Sequence, residues 1–100
     1  MIRHIVMWKL LPTAEGRNAH ENAGLMRTGL EGLVGVVPEI RSLTVNFNVL
    51  NNDSNWDVVL VSEFDDLAAL ARYQKNPDHL KVVPLVAAVA ASRAAVDYEF

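Results

Sequence analysis

The sequence predicts an α+β domain with the ferredoxin-like element order β-α-β-β-α-β. Three observations support this fold class. Four stretches alternate apolar side chains between two faces, two regions space apolar residues as a helix does, and turn-forming residues separate these elements. The chain has 100 residues, of which 51% are hydrophobic, so it can bury a modest core. We therefore expect one domain over residues 1–100.

The first strand is predicted over residues 2–10, where successive side chains point to opposite sides of the sheet. One side carries His4, Val6, Trp8 and Leu10, and the other side carries Ile5 and Met7. A helix is predicted over residues 17–35, because an apolar residue recurs every three or four positions from Ala19 to Leu33. These two elements form the β-α start of the fold.

Two further strands are predicted over residues 41–49 and 56–64. The first of them alternates apolar and polar side chains over its whole length, as a strand with one buried face does. The sequence NNDSN, residues 51–55, lies between the two strands and is rich in turn-forming residues. The pair is therefore expected to form the central β-β part of the fold.

The second half of the chain returns to helical spacing. Asp65 or Asp66 can cap a short helix, because a carboxylate there accepts from the free N–H groups of the first turn. This helix is expected to end at Lys75, since the residue before Pro77 is pushed out of the helical conformation. The remaining elements are a helical segment over residues 79–91, interrupted or restarted at Pro84, and a last strand over residues 93–99.

Two of the predicted strands are apolar on both faces. Ile5 and Met7 lie on the second face of the first strand, and Val59 and Val61 lie on the second face of the third strand. A four-stranded sheet with helices on one side is expected to leave its other side polar. No remaining segment of the chain is long enough to cover these residues, so we predict a homodimer in which two sheets pack face to face.

Composition excludes several classes of protein. A net charge of −3 without a Lys/Arg cluster argues against a nucleic-acid binder, and the absence of cysteine excludes disulfides and cysteine-ligated metals. No H-E-x-x-H, G-x-S-x-G or phosphate-loop motif occurs. The N-terminus does not look like a targeting peptide, and the longest apolar stretch, residues 82–91, is too short to span a bilayer. We expect a cytoplasmic protein with neither nucleic-acid nor membrane partners.

The sequence YQKNPDH, residues 73–79, holds the candidate catalytic groups. Tyr73 and His79 flank a corner formed by Pro77, and both can point into the space between helices and sheet if the chain folds around it. His4 shares its strand face with apolar residues and can project into the same space. A histidine base with a phenol donor suits proton abstraction beside a carbonyl group. In the alternative interpretation, Tyr73 packs on the helix, His79 caps or decorates the next one, and His4 is an ordinary strand-end residue.

The segments RHIVMWKL, YQKNPDH and VDYEF, in this order along the chain, resemble the stress-responsive A/B barrel family, known as Dabb. The resemblance covers the whole chain and implies a homodimer that forms an α+β barrel. The family includes plant stress-induced proteins, many bacterial members of unknown activity, and a polyketide cyclase that works without a cofactor. By motif, the resemblance places catalysis on Tyr73 and His79, with His4 lining the pocket. The implied pocket walls are Val6, Trp8, Met26, Leu30 and Leu60.

The resemblance also implies limits and alternatives. Trp8 is bulkier than the corresponding residue of the cyclase and disfavours a long-tailed polyketide substrate. Some relatives hold magnesium through backbone carbonyls, which would here belong to Val34, Val37 and Ile40; apart from that ion no cofactor is expected. Three functions are open: a cyclase, lyase or isomerase acting beside a carbonyl, a non-enzymatic stress-related dimer that binds a small apolar ligand, or a cofactor-free monooxygenase.

Overall fold

The computed structural model describes residues 1–100 and confirms the ferredoxin-like α+β fold. Its main sheet has four antiparallel strands in the order β4-β5-β1-β6. The elements in chain order are β1 (Ile2–Leu10), β2 (Thr13–Ala14), β3 (Arg17–Asn18), α1 (Ala19–Glu31), β4 (Ser42–Phe47), β5 (Val58–Phe64), α2 (Leu67–Lys75), α3 (Pro77–Val89) and β6 (Ala90–Glu99). The three helices lie on one side of this sheet and leave the other side open.

The first helix is shorter than the predicted range of residues 17–35. Its N-cap is Asn18, whose side chain accepts from the Glu21 amide at 2.8 Å while the Glu21 carboxylate accepts from the Asn18 amide. The first two residues of the predicted range, Arg17 and Asn18, belong instead to strand β3, which pairs with β2 as a small hairpin that the sequence did not predict. Glu15 and Gly16 form its turn with φ of 55° and 73°, a left-handed conformation that glycine adopts readily.

Asn76 links the two later helices, as the proline corner predicts. Its ψ of 133° ends α2, and its side chain accepts from the Asp78 amide at 2.8 Å to cap α3. The prediction that α3 starts at residue 79 is two residues late, because Pro77 occupies its first turn. A backbone N–H at this position has no partner within the helix, so proline, which lacks that N–H, is tolerated there. Pro84 lies inside α3 without ending it, so the predicted interruption does not occur. Because proline has no N–H, Pro84 cannot donate to the backbone carbonyl of Leu80, but Leu80 is an exposed residue.

Apolar side chains on the helix side of the sheet form the core. Strand β1 alternates buried and half-buried residues over its full length, and β5 does the same. Val6 faces Leu60 across the β1–β5 pair, and Val45 faces Leu60 across the β4–β5 pair; all three are buried. Met26 of α1 is completely buried as well. This side of the central strands is therefore fixed by dense packing.

The open side of the sheet is apolar at its centre, as the sequence predicts. Ile5 pairs with Val61 and Val96, and Met7 pairs with Val59 and Ala94, so one apolar patch crosses β5, β1 and β6. Within a single chain these side chains remain partly or fully exposed. No helix of the chain is long and apolar enough to cross a membrane. The cytoplasmic location stays a prediction.

Candidate active site

A cavity of about 510 Å³ lies between α3 and the sheet. This volume is within the range that small-molecule sites usually show. Eleven of its 15 lining residues are hydrophobic. The lining comprises His4, Val6, Trp8, Leu30, Leu60, Tyr73, His79, Val82, Val83, Val86, Ala87, Ala90, Ala91, Ser92 and Arg93. The cavity thus contains the three predicted catalytic side chains within a largely apolar wall.

Tyr73 is buried and packs between two other rings at the inner end of the cavity. It lies on the last turns of α2, and its ring centroid is 4.9 Å from that of Phe64 and 4.3 Å from that of His79. Its hydroxyl has no hydrogen-bond partner in the chain. Every fully buried side-chain polar atom does have a partner, so this hydroxyl is not fully buried. The hydroxyl therefore faces the cavity. Burial raises the pKa of Tyr73 to about 12, so the phenol keeps its proton at neutral pH.

His79 is prepared to accept a proton. It lies on the first turn of α3, directly after the proline corner, and is half-buried. Its Nδ1–H donates to the Gln74 carbonyl at 3.3 Å, which leaves Nε2 with a free lone pair. Burial is the main cause that lowers the pKa of His79, with the nearby His4 as a smaller contributor. The imidazole is therefore neutral at pH 7 and can act as a base.

His4 is oriented by a carboxylate that sequence reasoning did not find. Its Nδ1 bonds to Asp97 Oδ1, and the two residues are direct partners across the β1–β6 pair. The His4 ring is buried and lies 6.4 Å from the Tyr73 ring, centroid to centroid. Because Nδ1 is occupied, Nε2 is the nitrogen left to face the cavity. The alternation in residues 93–99 placed Asp97 on one strand face, but only the strand register could pair it with His4.

The structure places four of the five predicted wall residues around the cavity. Val6, Trp8, Leu30 and Leu60 line it. Met26 does not, because it is completely buried between α1 and the sheet. The missed wall comes from α3 and the start of β6, where Val82, Val83, Val86, Ala87 and Arg93 contribute. The apolar run of residues 82–91 was the available signal for this wall, but its position depends on how α3 sits above the sheet.

The predicted carbonyl site for magnesium follows α1. Val34 and Val37 form an isolated parallel bridge there, and the Val37 carbonyl accepts from the Ile40 amide at 3.2 Å. Magnesium prefers sites that include carboxylates, whereas three backbone carbonyls supply no negative charge. No three His, Cys, Asp or Glu side chains of the chain come together in a way that could hold a metal. These residues fit magnesium poorly, and the ion stays a prediction.

The family model for the stress responsive A/B barrel domain, Dabb, matches residues 2–100. The chain belongs to the Dabb family. No curated protein sequence matches this Dabb chain. A dimeric protein of unknown function with a ferredoxin-like fold, from Bacteroides fragilis NCTC 9343, is 30% identical with a TM-score of 0.85, over 99% of this chain and 95% of its own.

More distant structures share the fold and include enzymes. A hydroxynitrile lyase from Passiflora edulis is 13% identical, with a TM-score of 0.78 over 97% of this chain and 90% of its own. An antibiotic biosynthesis monooxygenase is 18% identical, with a TM-score of 0.71 over 100% of this chain and 98% of its own. At these identities the likeness concerns the fold alone. Proteins with this ferredoxin-like fold therefore carry out different chemistries, and the function must be argued from the site.

Proposed function

We propose that the cavity is the active site of a cofactor-independent enzyme that transfers protons beside a carbonyl group, as a lyase, cyclase or isomerase. One observation supports this proposal above the others: a neutral imidazole and an unpaired phenol face the same apolar cavity. Low local polarity strengthens both groups, because water competes less for the lone pair of His79 and the O–H of Tyr73 than it does in open solvent. The hydroxynitrile lyase neighbour shows that this fold can support a lyase.

The first step is removal of a proton from the carbon next to the carbonyl. His79 Nε2 takes this proton and becomes an imidazolium, while the C–H electron pair moves toward the carbonyl and its oxygen gains negative charge. Tyr73 donates a hydrogen bond to that oxygen. Return of the proton from His79 to a different atom gives an isomer. Attack of the enolate carbon on a second carbonyl of the same molecule forms a C–C bond, and the new alkoxide takes the proton from His79 to give a cyclised product.

His4 acts as a positioning group in this scheme. Its bond to Asp97 fixes which nitrogen carries a proton and which way the ring faces. Asp97 lies on the edge strand β6 and keeps 38% of its side-chain surface exposed. The pair ties β6 to β1 at the end of the cavity where Tyr73 lies. No step of the scheme requires a metal or an organic cofactor.

The proposal is tested with 2-decanone, an apolar ketone, by NMR in D₂O. The wild-type chain is expected to accelerate deuterium incorporation beside the carbonyl, and His79→Gln is expected to slow the reaction by about 10²-fold or more. Tyr73→Phe is expected to slow it as well. It should leave the melting temperature nearly unchanged, because the hydroxyl has no partner in the chain. His20→Gln, on the outer surface of α1, is the matched control and should keep full activity.

The main alternative is a dimer that binds a ligand without turning it over. The contact between the Tyr73 and His79 rings favours this alternative, since ring packing alone could account for both residues. Binding of 2-decanone without any accelerated exchange would support it against the enzyme. A fall of several degrees in melting temperature for both variants would also favour a structural role. The monooxygenase neighbour supports no further assignment at 18% identity.

We also infer that the chain functions as a homodimer that closes an α+β barrel. The apolar patch on the open side of the sheet supports this assembly, because a monomer rarely exposes so continuous a surface. The related Bacteroides fragilis protein is dimeric. Light scattering at micromolar concentration should give twice the chain mass of 11.1 kDa. Met7→Glu should shift the mass to that of one chain, whereas a wild-type monomer would contradict the inference.

A further inference from the structure

Arg93 occupies an unusual place among the cations of this chain. It lies at the start of β6, lines the cavity and is exposed, and its side chain has neither a hydrogen bond nor an ion pair. Every other arginine has a side-chain partner: Arg3 with Glu63, Arg17 with Asn22, Arg27 with Glu31, Arg41 with Asp65, and Arg72 with Glu39. A guanidinium carries its charge at all physiological pH values. Arg93 therefore presents a fork of free donors at the cavity mouth.

The rest of the cavity lining carries no permanent charge. No carboxylate and no lysine lines the cavity, so Arg93 is its single permanent charge. The chain as a whole carries a net charge of −3, which excludes a general attraction for anions. An anionic ligand that entered this cavity would find its one strong partner at Arg93.

We propose that the ligand of this cavity carries a carboxylate, which Arg93 binds at the mouth. A planar guanidinium matches a carboxylate through two parallel hydrogen bonds. A phosphate ester carries about two charges and normally requires several donors, whereas this end of the lining has no second charged donor and adds only Ser92 and the indole N–H of Trp8 beside Arg93. One positive group matches one negative group, and the apolar walls suit a hydrocarbon chain.

The strand register gives the length of this ligand. Arg93 pairs with Trp8 and Asp97 pairs with His4, so the two ends of the cavity are four residues apart along β1. That separation is roughly 13 Å along the strand. Taken with the proposed function, on which this step rests, it places the reactive carbonyl at the Tyr73 end and the carboxylate at the other. The ligand class is an oxo acid whose two groups are separated by an apolar segment.

Calorimetric binding of decanoate and decanamide tests the carboxylate site, because the two probes have the same hydrocarbon chain and differ only in the head group, a carboxylate or a neutral amide. The wild-type chain is expected to bind decanoate about ten-fold more tightly than decanamide. Arg93→Gln should bring the two dissociation constants together by weakening decanoate alone, and Arg93→Lys should keep part of the preference. Arg72→Gln, an exposed arginine outside the cavity, is the matched control and should keep the whole preference.

Two results would overturn the proposal: equal affinities of the wild-type chain for both probes, or an undiminished preference in Arg93→Gln. Failure of the proposed catalysis would look different. In that case His79→Gln would exchange deuterium into 2-decanone at the wild-type rate, while the preference for decanoate would still depend on Arg93. Loss of the preference with normal His79-dependent exchange would remove the carboxylate site and leave the catalytic proposal standing.

Discussion

Helices α1 and α3 have the same length, 13 residues, but they relate to the sheet in opposite ways. Four residues of α1 are buried, whereas Val89 is the only buried residue of α3. The sequence of α3 is nevertheless the more apolar of the two. The difference is that α1 packs directly on strand β4, while the cavity separates α3 from the sheet.

The two helices on this side of the sheet therefore differ in role: α1 contributes mainly to stability, and α3 mainly to the wall of the cavity. Apolar residues of α1 remove surface from water on folding and so contribute to the free energy of unfolding. Several apolar residues of α3 instead surround unfilled space, so much of their potential contribution is left for a ligand. Val83 of α3 remains 43% exposed. The four predictions that follow test this contrast, from the largest expected effect to the smallest.

Shortening one side chain on each helix should give very different losses of stability. Met26→Ala opens a hole in a fully buried position and should lower the free energy of unfolding by about 2–5 kcal/mol. Val83→Ala should cost less than about 1 kcal/mol, because its side chain already borders the cavity and solvent. Chemical denaturation of both variants measures these values. Equal losses would show that α3 contributes to the core as α1 does.

Filling the cavity from α3 should block binding while the fold survives. Ala87→Phe adds an aromatic ring at the cavity wall and should weaken 2-decanone binding by about ten-fold or more, which corresponds to about 1.4 kcal/mol. Ala88→Phe is the matched control, since Ala88 is exposed and does not line the cavity. Melting temperatures show whether both variants fold. Unchanged binding by Ala87→Phe would place the ligand elsewhere.

Two glycines of α1 should respond differently to alanine. Gly24→Ala should stabilise the chain by about 0.5–1 kcal/mol, because alanine favours the helix and nothing lies within 4 Å of the added Cβ. Gly29→Ala should give a smaller gain, because its Cβ would meet Val82 Cγ1 of α3 at 3.4 Å. Thermal melts of the pair compare the two sites. A larger gain at Gly29 would mean that Val82 and α3 move enough to make room for the added methyl group.

Acid should destabilise the wild-type chain slightly more than His79→Gln. The pKa of His79 is lowered in the folded state, so between pH 7.5 and 5 the unfolded chain binds more protons than the folded one. The contribution of His79 is complete above its usual pKa near 6.5 and is lost as the pH falls through the lowered value. The effect is small because the ring is only half-buried. Melting temperatures of the two proteins measured across this range should show a slightly larger fall for the wild-type chain than for His79→Gln.

The sequence predicted the fold better than it predicted the site. Alternation in β1 and β5 and the proline corner at Pro77 are local signals, which act within a few residues, so the element order and the Tyr73–His79 pair followed from them. The hairpin of β2 and β3 was missed because two-residue strands have no measurable periodicity. The continuity of α3 through Pro84 was missed because it depends on solvent exposure of the preceding turn.

By itself, therefore, the sequence determined the ferredoxin-like fold, the Dabb family and the three polar rings of the candidate site. Only the tertiary structure decided that Asp97 orients His4 and that Arg93 stands without a partner at the cavity mouth. It also decided that Met26 belongs to the core. The physical reason is that these properties depend on strand register and on the gap between α3 and the sheet. Both are set by contacts between residues far apart in the chain, which no local pattern records.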